Sequence, residues 1–153
     1  MGPGEQATAT DIQNAFELGN LIAQQGWVLL TGGRNVGVMD AASQGAKSAN
    51  GLTIGILPGN NTNDVSEFVD LAIVTDLGNA RNNINVLSAD VVIACGISTR
   101  TAAEIALALK ANKKVILLND RLESKFFQHL SPENIYFVNT PAEAIKITSQ
   151  FLV

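Results

Sequence analysis

Short apolar runs alternate with helical patterns along most of the chain, and this alternation limits the possible folds more than any other feature. The runs are apolar without a polar residue at every second position, which is typical of strands covered on both faces. Such strands, alternating with helices, predict an α/β fold with a doubly wound, mainly parallel sheet and helices on both faces. The predicted strands are residues 27–30, 52–57, 71–75, 90–95, 114–118 and 135–138. The predicted helices are residues 10–25, 38–49, 79–88, 101–112, 121–130 and 141–152.

Length and composition exclude several classes of protein. The 153 residues fit one domain, so a single Rossmann-like ligand-binding domain is expected over residues 1–153. One cysteine (Cys95) excludes an internal disulfide, and one cysteine with one histidine (His129) excludes a zinc site of the usual kind. A formal net charge of −4 with scattered Lys and Arg argues against nucleic-acid binding. With no membrane-spanning apolar stretch and no signal peptide, a soluble, cytoplasmic protein is expected.

The first helical pattern carries a capping-box spacing and a stripe of small residues. Thr10 and Gln13 have the spacing of a capping box, which predicts the start of the helix. The stripe predicts close packing against a neighbouring element. Its members are Ile12, Ala15, Phe16, Gly19, Ile22 and Ala23.

Four polar or glycine-rich segments fall where open α/β sheets bind their ligands, beyond the carboxyl ends of strands. If they meet, their free amides and helix N-termini favour an anion such as phosphate. Arg34 and Arg100 lie within two of the segments, where a guanidinium can pair with phosphate through two hydrogen bonds. Each segment alone is equally well explained as a turn that needs glycine, so the prediction depends on their convergence. The segments are residues 2–5, 31–37, 58–64 and 95–101, of which 58–64 is expected to be mainly a solvated loop.

Residues 2–7 match the G-x-G-x-x-A pattern of dinucleotide-binding loops, but the other features of such a site are missing from the sequence. No strand precedes the pattern, so either that strand is absent or the reading frame begins upstream, and both alternatives stay open. The run 27–30 leads into Thr31 and Gly32, where an acidic residue is expected at the end of the second strand. We therefore reject an NAD site.

Two charged residues each have a structural and a functional interpretation. Glu104 has capping-box spacing from Thr101, while a carboxylate beside a phosphate site also suits binding of a ribose or pterin group, or general-base chemistry. Arg81 is slightly better explained as an exposed helix arginine than as a ligand-binding residue. Cys95 is expected to be a small buried hydrophobe and His129 a structural or surface residue.

Two segments resemble the signatures of the LOG-like, or lysine-decarboxylase-like, Rossmann proteins. Residues 29–46, LLTGGRNVGVMDAASQGA, resemble the pattern GGGxxGxMxAxxxGA, and residues 95–118 resemble GGxGTxxE followed by an apolar helix and strand. Within that superfamily, the chain looks most like the molybdenum cofactor carrier proteins in its short length and in residues 1–5, 29–33, 37–43 and 78–90. The resemblance covers nearly the whole chain, although Arg100 stands where the pattern has a glycine.

The resemblance implies a homo-oligomeric protein that binds and protects the molybdenum cofactor, a phosphate-bearing pterin, without catalysis. It also implies molybdoenzymes as recipients of the cofactor and no metal site made by the protein itself. The alternative function in the superfamily is a nucleoside 5′-monophosphate phosphoribohydrolase, which would use Arg81 and Glu104. Asn82 follows Arg81 where those enzymes have a lysine, which favours the carrier. The expected cofactor-binding residues are Gly32, Gly33, Arg34, Asn35, Gly37, Arg81, Gly96, Ser98, Thr99, Arg100, Thr101 and Glu104.

Overall fold

The computed structural model of the protein describes residues 1–118 and 125–152, which contain six strands and six helices. The strands are β1 (Leu29–Thr31), β2 (Thr53–Leu57), β3 (Leu71–Val74), β4 (Val91–Cys95), β5 (Lys114–Leu118) and β6 (Ile135–Val138). The helices are α1 (Ala9–Gln24), α2 (Gly37–Ser48), α3 (Arg81–Ser88), α4 (Thr99–Lys110), α5 (Lys125–Leu130) and α6 (Pro141–Thr148). A single 3₁₀ turn, Gly78–Ala80, leads into α3.

The predicted α/β fold is confirmed, with one difference in the sheet. All strand pairs are parallel, but they form two three-stranded sheets, in the orders β1-β2-β3 and β4-β5-β6. The described residues place no strand between β1 and β4, so the single predicted sheet is divided there. Of the predicted helix 121–130, residues 121–124 lie outside the described residues. The last helix ends at Thr148, four residues earlier than predicted.

Helices cover both faces of the strands, as predicted. One core joins α1, α2 and α6 to side chains such as Ile116 and Leu118 of β5. The other joins α3, α4 and α5 to Val115 and Leu117 of the same strand. Because successive side chains of a strand point to opposite faces, β5 is apolar throughout and contributes to both cores.

Helices α1 and α2 approach each other closely through glycine. A Cβ atom at Gly19 would collide with the Ala42 carbonyl, and one at Gly45 would collide with the Phe16 carbonyl. The predicted small-residue stripe therefore does allow close packing. The predicted capping box is wrong, because Thr8 caps α1: its side chain accepts the Asp11 amide, and the Asp11 carboxylate accepts the Thr8 amide.

An apolar cavity of about 660 Å³ separates the facing edges of β1 and β4. We call this cavity the slot; α1 lines one side of it with Ala15, Leu18 and Ile22. Met1 lies in the slot, where its amino group donates to the Ile93 carbonyl at 2.6 Å and its carbonyl accepts the Cys95 amide at 2.9 Å. Within the described part of the chain, no helix is long and apolar enough to cross a membrane.

Candidate functional site

Three of the four predicted loops meet beyond the carboxyl ends of β1 and β4. The Val38 amide donates to the Pro3 carbonyl at 3.0 Å, which joins the loop before α1 to the start of α2. Gly37 has φ +58°, and a Cβ atom there would collide with the carbonyls of Pro3 and Gly4. A Cβ atom at Gly2 would likewise collide with the Cys95 carbonyl. Glycine is therefore needed in segments 2–5 and 31–37 for the loops to lie against each other and against the end of β4.

The three loops surround a cavity of about 50 Å³, which we call the arginine pocket. Three guanidinium groups line it, from Arg34, Arg81 and Arg100, and Glu104 supplies the one carboxylate in its lining. In a chain whose formal net charge is −4, this is a strong local excess of positive charge. Such an arrangement favours a bound anion. The complete lining is Gly2, Gly4, Arg34, Met39, Asn79, Arg81, Asn82, Ser98, Arg100 and Glu104.

Arg81 is the most buried of the three arginines, with 8% of its surface exposed. Its Nη1 donates to the Ile56 carbonyl at 2.8 Å, while its buried Nε has no hydrogen-bond partner. The guanidinium lies where a side chain at Gly32 would stand. The interpretation of Arg81 as an exposed helix arginine is therefore wrong: a glycine beneath it lets the side chain reach inward.

Electrostatics link the groups around the pocket. Burial lowers the pKa of the Arg81 guanidinium because it removes the charge from water; Glu104 opposes this effect, and the nearby cations Arg34 and Arg100 add to it. Burial likewise raises the pKa of Glu104, opposed by the Met1 ammonium group and by Arg81. Among the described residues the Glu104 carboxylate makes no hydrogen bond, so the charges of the Met1 ammonium group and Arg81 act on it without direct contact.

Of the two interpretations of Glu104, the capping one is wrong. Helix α4 begins at Thr99, and Ser98 is its N-cap, with a side chain that accepts the Thr101 amide at 3.3 Å. The Ser98 and Thr101 hydroxyls also bond to each other at 2.9 Å, and Thr101 is fully buried. Thr101 thus lies inside the first turn, and Glu104 lies beyond any capping position.

Two backbone amides of the loop after β1 donate hydrogen bonds within the protein. Gly33 donates to Thr31 Oγ1 at 3.0 Å, and Asn35 donates to the Asp64 carbonyl at 2.9 Å. At the other end of the loop, α2 starts at Gly37 after Val36, and no side chain caps it. The loop is therefore held in its middle by its own bonds, while the helix start is capped by backbone alone, through the bond from the Val38 amide to the Pro3 carbonyl.

The remaining predicted residues lie at or near the rim. Asn35, Thr99 and Arg100 are exposed. Arg34 forms a 3.3 Å ion pair with exposed Glu5, and Gly96 has φ +75° beside Asp11. The fourth predicted segment, 58–64, does not line the pocket, and its asparagines are exposed as expected.

Sequence reasoning did not assign some of the residues that line the pocket. Gly2 and Gly4 lie in a segment predicted to meet the anion-binding loops, but neither glycine was singled out. Met39, Asn79 and Asn82 lie in segments that resemble the family, and no signal in the sequence places their side chains at the pocket. Cys95 is buried as predicted, and burial raises the pKa of its thiol to about 12.

Comparison with known proteins identifies the family. Residues 1–145 match the family model described as the SLOG cluster4 family. The chain belongs to the SLOG cluster 4 family. Three relatives of this SLOG cluster 4 protein are informative.

The first relative is the molybdenum cofactor binding protein of the phototrophic bacterium Rippkaea orientalis. That structure is 63% identical, covers 100% of this chain and 94% of its own, and superimposes with a TM-score of 0.98. The molybdenum cofactor carrier protein of Chlamydomonas reinhardtii is 49% identical over 99% of this chain and 94% of its own, with a TM-score of 0.95. A protein of Archaeoglobus fulgidus is 46% identical over 68% of each chain. The resemblance to molybdenum cofactor carrier proteins is confirmed.

Proposed function

We propose that this SLOG cluster 4 protein binds the molybdenum cofactor at the arginine pocket and carries it without transforming it. The observation that carries the proposal is the meeting of Arg34, Arg81 and Arg100 around one small cavity in an acidic chain. The two solved relatives named for this cofactor support the identity of the ligand.

The size of the arginine pocket suits one part of this ligand. About 50 Å³ has room for roughly three to five water-sized groups, which matches a phosphate group and is far too small for a pterin. The terminal phosphate therefore lies inside the pocket, and the pterin and metal-dithiolene parts lie over the rim. Asn35, Arg34 and Arg100, on or near that rim, receive them.

Two features prepare the arginine pocket for phosphate. The Arg81 side chain is fixed by its bond to the Ile56 carbonyl, and its Nε is left without an acceptor. Phosphate matches the planar guanidinium, which is held in place at the pocket wall. The start of α2 has no side-chain cap, and although Pro3 accepts the Val38 amide, Met39 of the same turn lines the pocket, so its amide and the positive end of the helix dipole favour the same anion.

Binding measurements test the proposal. The purified protein, kept anaerobic, is titrated with the cofactor and separately with inorganic phosphate. Arg81→Met keeps the length and packing of the side chain and is expected to weaken both affinities more than about tenfold. Lys146→Met, which removes an exposed charge on α6, is the matched control and is expected to change neither. Equal affinities for Arg81→Met and Lys146→Met would overturn the proposed site.

A phosphoribohydrolase is the second candidate, and one observation favours it. Burial raises the pKa of Glu104, as a proton-transferring carboxyl group requires, and Arg81 lines the same pocket. A hydrolase releases free base from AMP at ordinary turnover, on the order of 1–1000 per second. A carrier releases none.

Glu104→Gln separates the two candidates. In a carrier, the substitution removes the one negative charge that lines the pocket, so phosphate affinity at pH 8 is expected to rise by roughly threefold to tenfold. In a hydrolase, it abolishes base release. Glu17→Gln, on exposed α1 surface, is the charge control. Measurable base release that Glu104→Gln abolishes would replace the carrier with the enzyme.

The proposal also includes delivery to molybdoenzymes by a homo-oligomer in the cytoplasm. Light scattering after size-exclusion chromatography measures the oligomer. Transfer is measured as the activity that the loaded protein restores to a molybdoenzyme lacking its cofactor. A loaded protein that restores no activity would limit the role to storage.

A further inference from the structure

Glu104 lines the arginine pocket beside three arginines, and yet it pairs with none of them. Among the described residues, its carboxylate takes part in no hydrogen bond and in no ion pair. Arg34 pairs with Glu5 instead, and Arg81 donates to the Ile56 carbonyl. The carboxylate is therefore available to a group that enters the pocket.

The first turns of α4 place Glu104 next to the cations of the pocket. Arg100 and Glu104 are four residues apart on that helix, so their side chains lie on one face of it, and both line the pocket. Arg81 from α3 and Arg34 from the loop after β1 line the same cavity of about 50 Å³. An anion that the arginines hold in so small a cavity lies against the carboxylate as well.

A carboxylate in an anion pocket distinguishes anions by the protons that they carry. An ionised carboxylate only accepts hydrogen bonds, and so does a sulfate ion, so the two cannot bond and their charges repel each other. A hydrogen phosphate ion has the same tetrahedral shape and the same charge as sulfate, but it carries one O–H group. That group donates to a carboxylate in a short, charge-assisted hydrogen bond.

We propose that the arginine pocket binds its anion together with one proton, which is held between the Glu104 carboxylate and an oxygen of the anion. The shared proton makes the pocket selective for phosphate and phosphate monoesters over sulfate. A monoester gains this proton with a pKa of about 6, so the proton is at hand near neutral pH. The inference rests on the proposed function, because it concerns the anion that the arginines bind there.

The charges around Glu104 set the direction of the pH dependence. Burial raises the pKa of its carboxyl group, opposed by the Met1 ammonium group and by Arg81, and Arg34 and Arg100 are the other charged groups in the pocket lining. Bound sulfate adds a negative charge beside the carboxylate and raises that pKa further. Sulfate binding therefore takes up one proton and weakens as the pH rises. Hydrogen phosphate brings its own proton, so its binding takes up none.

Calorimetric titration of the protein with inorganic phosphate and with sulfate tests the inference. At pH 8 the wild-type protein is expected to prefer phosphate by about thirtyfold or more, and the preference is expected to grow about tenfold between pH 8 and pH 9. The ratio of the two affinities cancels the charge of the Met1 ammonium group, which acts on both anions. Titrations in buffers of different ionisation enthalpy are expected to show uptake of about one proton with sulfate and none with phosphate. Methyl phosphate is expected to bind with an affinity between the two.

Glu104→Gln separates the carboxylate from the rest of the pocket. The variant is expected to bind both anions more tightly at pH 8, with a gain for sulfate about tenfold larger than the gain for phosphate, so that the preference falls to about threefold or less. Proton uptake with sulfate is expected to disappear. Glu17→Gln, which removes a charge from the exposed surface of α1, is expected to keep the wild-type preference and the wild-type proton uptake.

The possible failures are distinguishable. Equal affinities of the wild-type protein for phosphate and sulfate, or a preference that Glu104→Gln leaves intact, would overturn the shared proton and leave the anion site in place. Sulfate binding without proton uptake would overturn it in the same way, even if Glu104→Gln does not fold. If neither anion binds to the wild-type protein, the proposed site is wrong and the inference fails with it.

Discussion

The loops after β1 and β4 begin alike and end differently. Each strand is followed by a glycine with a positive φ angle, +74° at Gly33 and +75° at Gly96. The first loop then leads to α2, which no side chain caps, whereas the second leads to α4, which Ser98 caps. Two segments that look like equivalent anion-binding loops in the sequence therefore differ at the helix start.

The difference assigns separate roles to the two loops. The loop after β1 leads to a helix start that no side chain caps, and Met39 of its first turn lines the arginine pocket. The Ser98 hydroxyl caps the helix after β4, and that helix contributes Arg100 and Glu104 to the pocket. In the proposed site, the first segment acts through Arg34 and the start of α2, and the second through side chains alone.

The largest expected effect concerns the two glycines that begin the loops. Gly33→Ala and Gly96→Ala carry equal backbone strain, but a Cβ atom at Gly33 would lie 2.8 Å from Cα of Gly55. A Cβ atom at Gly96 would meet the Asp11 carboxylate, a side chain that can move by giving up its bond to the Thr8 amide. Urea unfolding is expected to show a loss of about 3 kcal/mol for Gly33→Ala and about 1–2 kcal/mol for Gly96→Ala.

Gly78→Ala is the control for strain alone, because Gly78 has φ +53° and open space around it. It is expected to lose about 1 kcal/mol. If Gly96→Ala loses as much unfolding free energy as Gly33→Ala, the surroundings of the two glycines are equally rigid.

A smaller effect is expected from the charge that the second loop contributes. Arg100→Gly restores the residue of the family pattern and yet removes a cation from the pocket, so phosphate affinity is expected to fall about tenfold, or about 1.4 kcal/mol. Calorimetric titration with inorganic phosphate measures it. Arg100→Ala separates the charge from the flexibility of glycine in α4. Unchanged or tighter binding in both variants would mean that Arg100 points away from the bound anion.

The strands could be predicted from the sequence because a strand that is buried on both faces has an unbroken run of apolar residues. Residues 115–118 of β5 are such a run. The caps could not be predicted so well. Hydroxyl groups stand at several positions near the starts of α1 and α4, and the turn that precedes the helix decides which one is used. Thus Thr8 caps α1 in place of Thr10, and Ser98 caps α4 in place of Thr101.

The site could be predicted at the level of loops, and less well at the level of side chains. Convergence of the loops follows from parallel strands whose carboxyl ends share one edge. The burial of Arg81 depends on a pairwise fit, since its guanidinium occupies the space that Gly32 leaves free and reaches Ile56 on β2. No local pattern around Arg81 contains that information.

The cap of α4 has a smaller expected effect, and the effect is on stability alone. Ser98→Ala removes the acceptor of the Thr101 amide, and urea unfolding is expected to show a loss of about 1 kcal/mol. Phosphate affinity is expected to stay within about twofold, because in the proposed site the anion bonds to the start of α2 and not to the start of α4. Weaker phosphate binding without a loss of stability would mean that the Ser98 hydroxyl contacts the anion.

The smallest expected effect comes from giving α2 the cap that α4 has. Val36 is the N-cap of α2 in extended conformation, and Val36→Thr adds a hydroxyl group with little change in shape. The hydroxyl is expected to accept the Met39 amide, because Pro3 already accepts the Val38 amide. It is expected to stabilise the protein by about 0.5 kcal/mol and, by occupying an amide that the phosphate would use, to weaken phosphate binding by roughly twofold to threefold. Val36→Ala, which removes the methyl groups and adds no acceptor, is the control. A gain in stability with unchanged phosphate affinity would mean that the first turn of α2 does not face the anion, and the two loops would then bind through side chains alike.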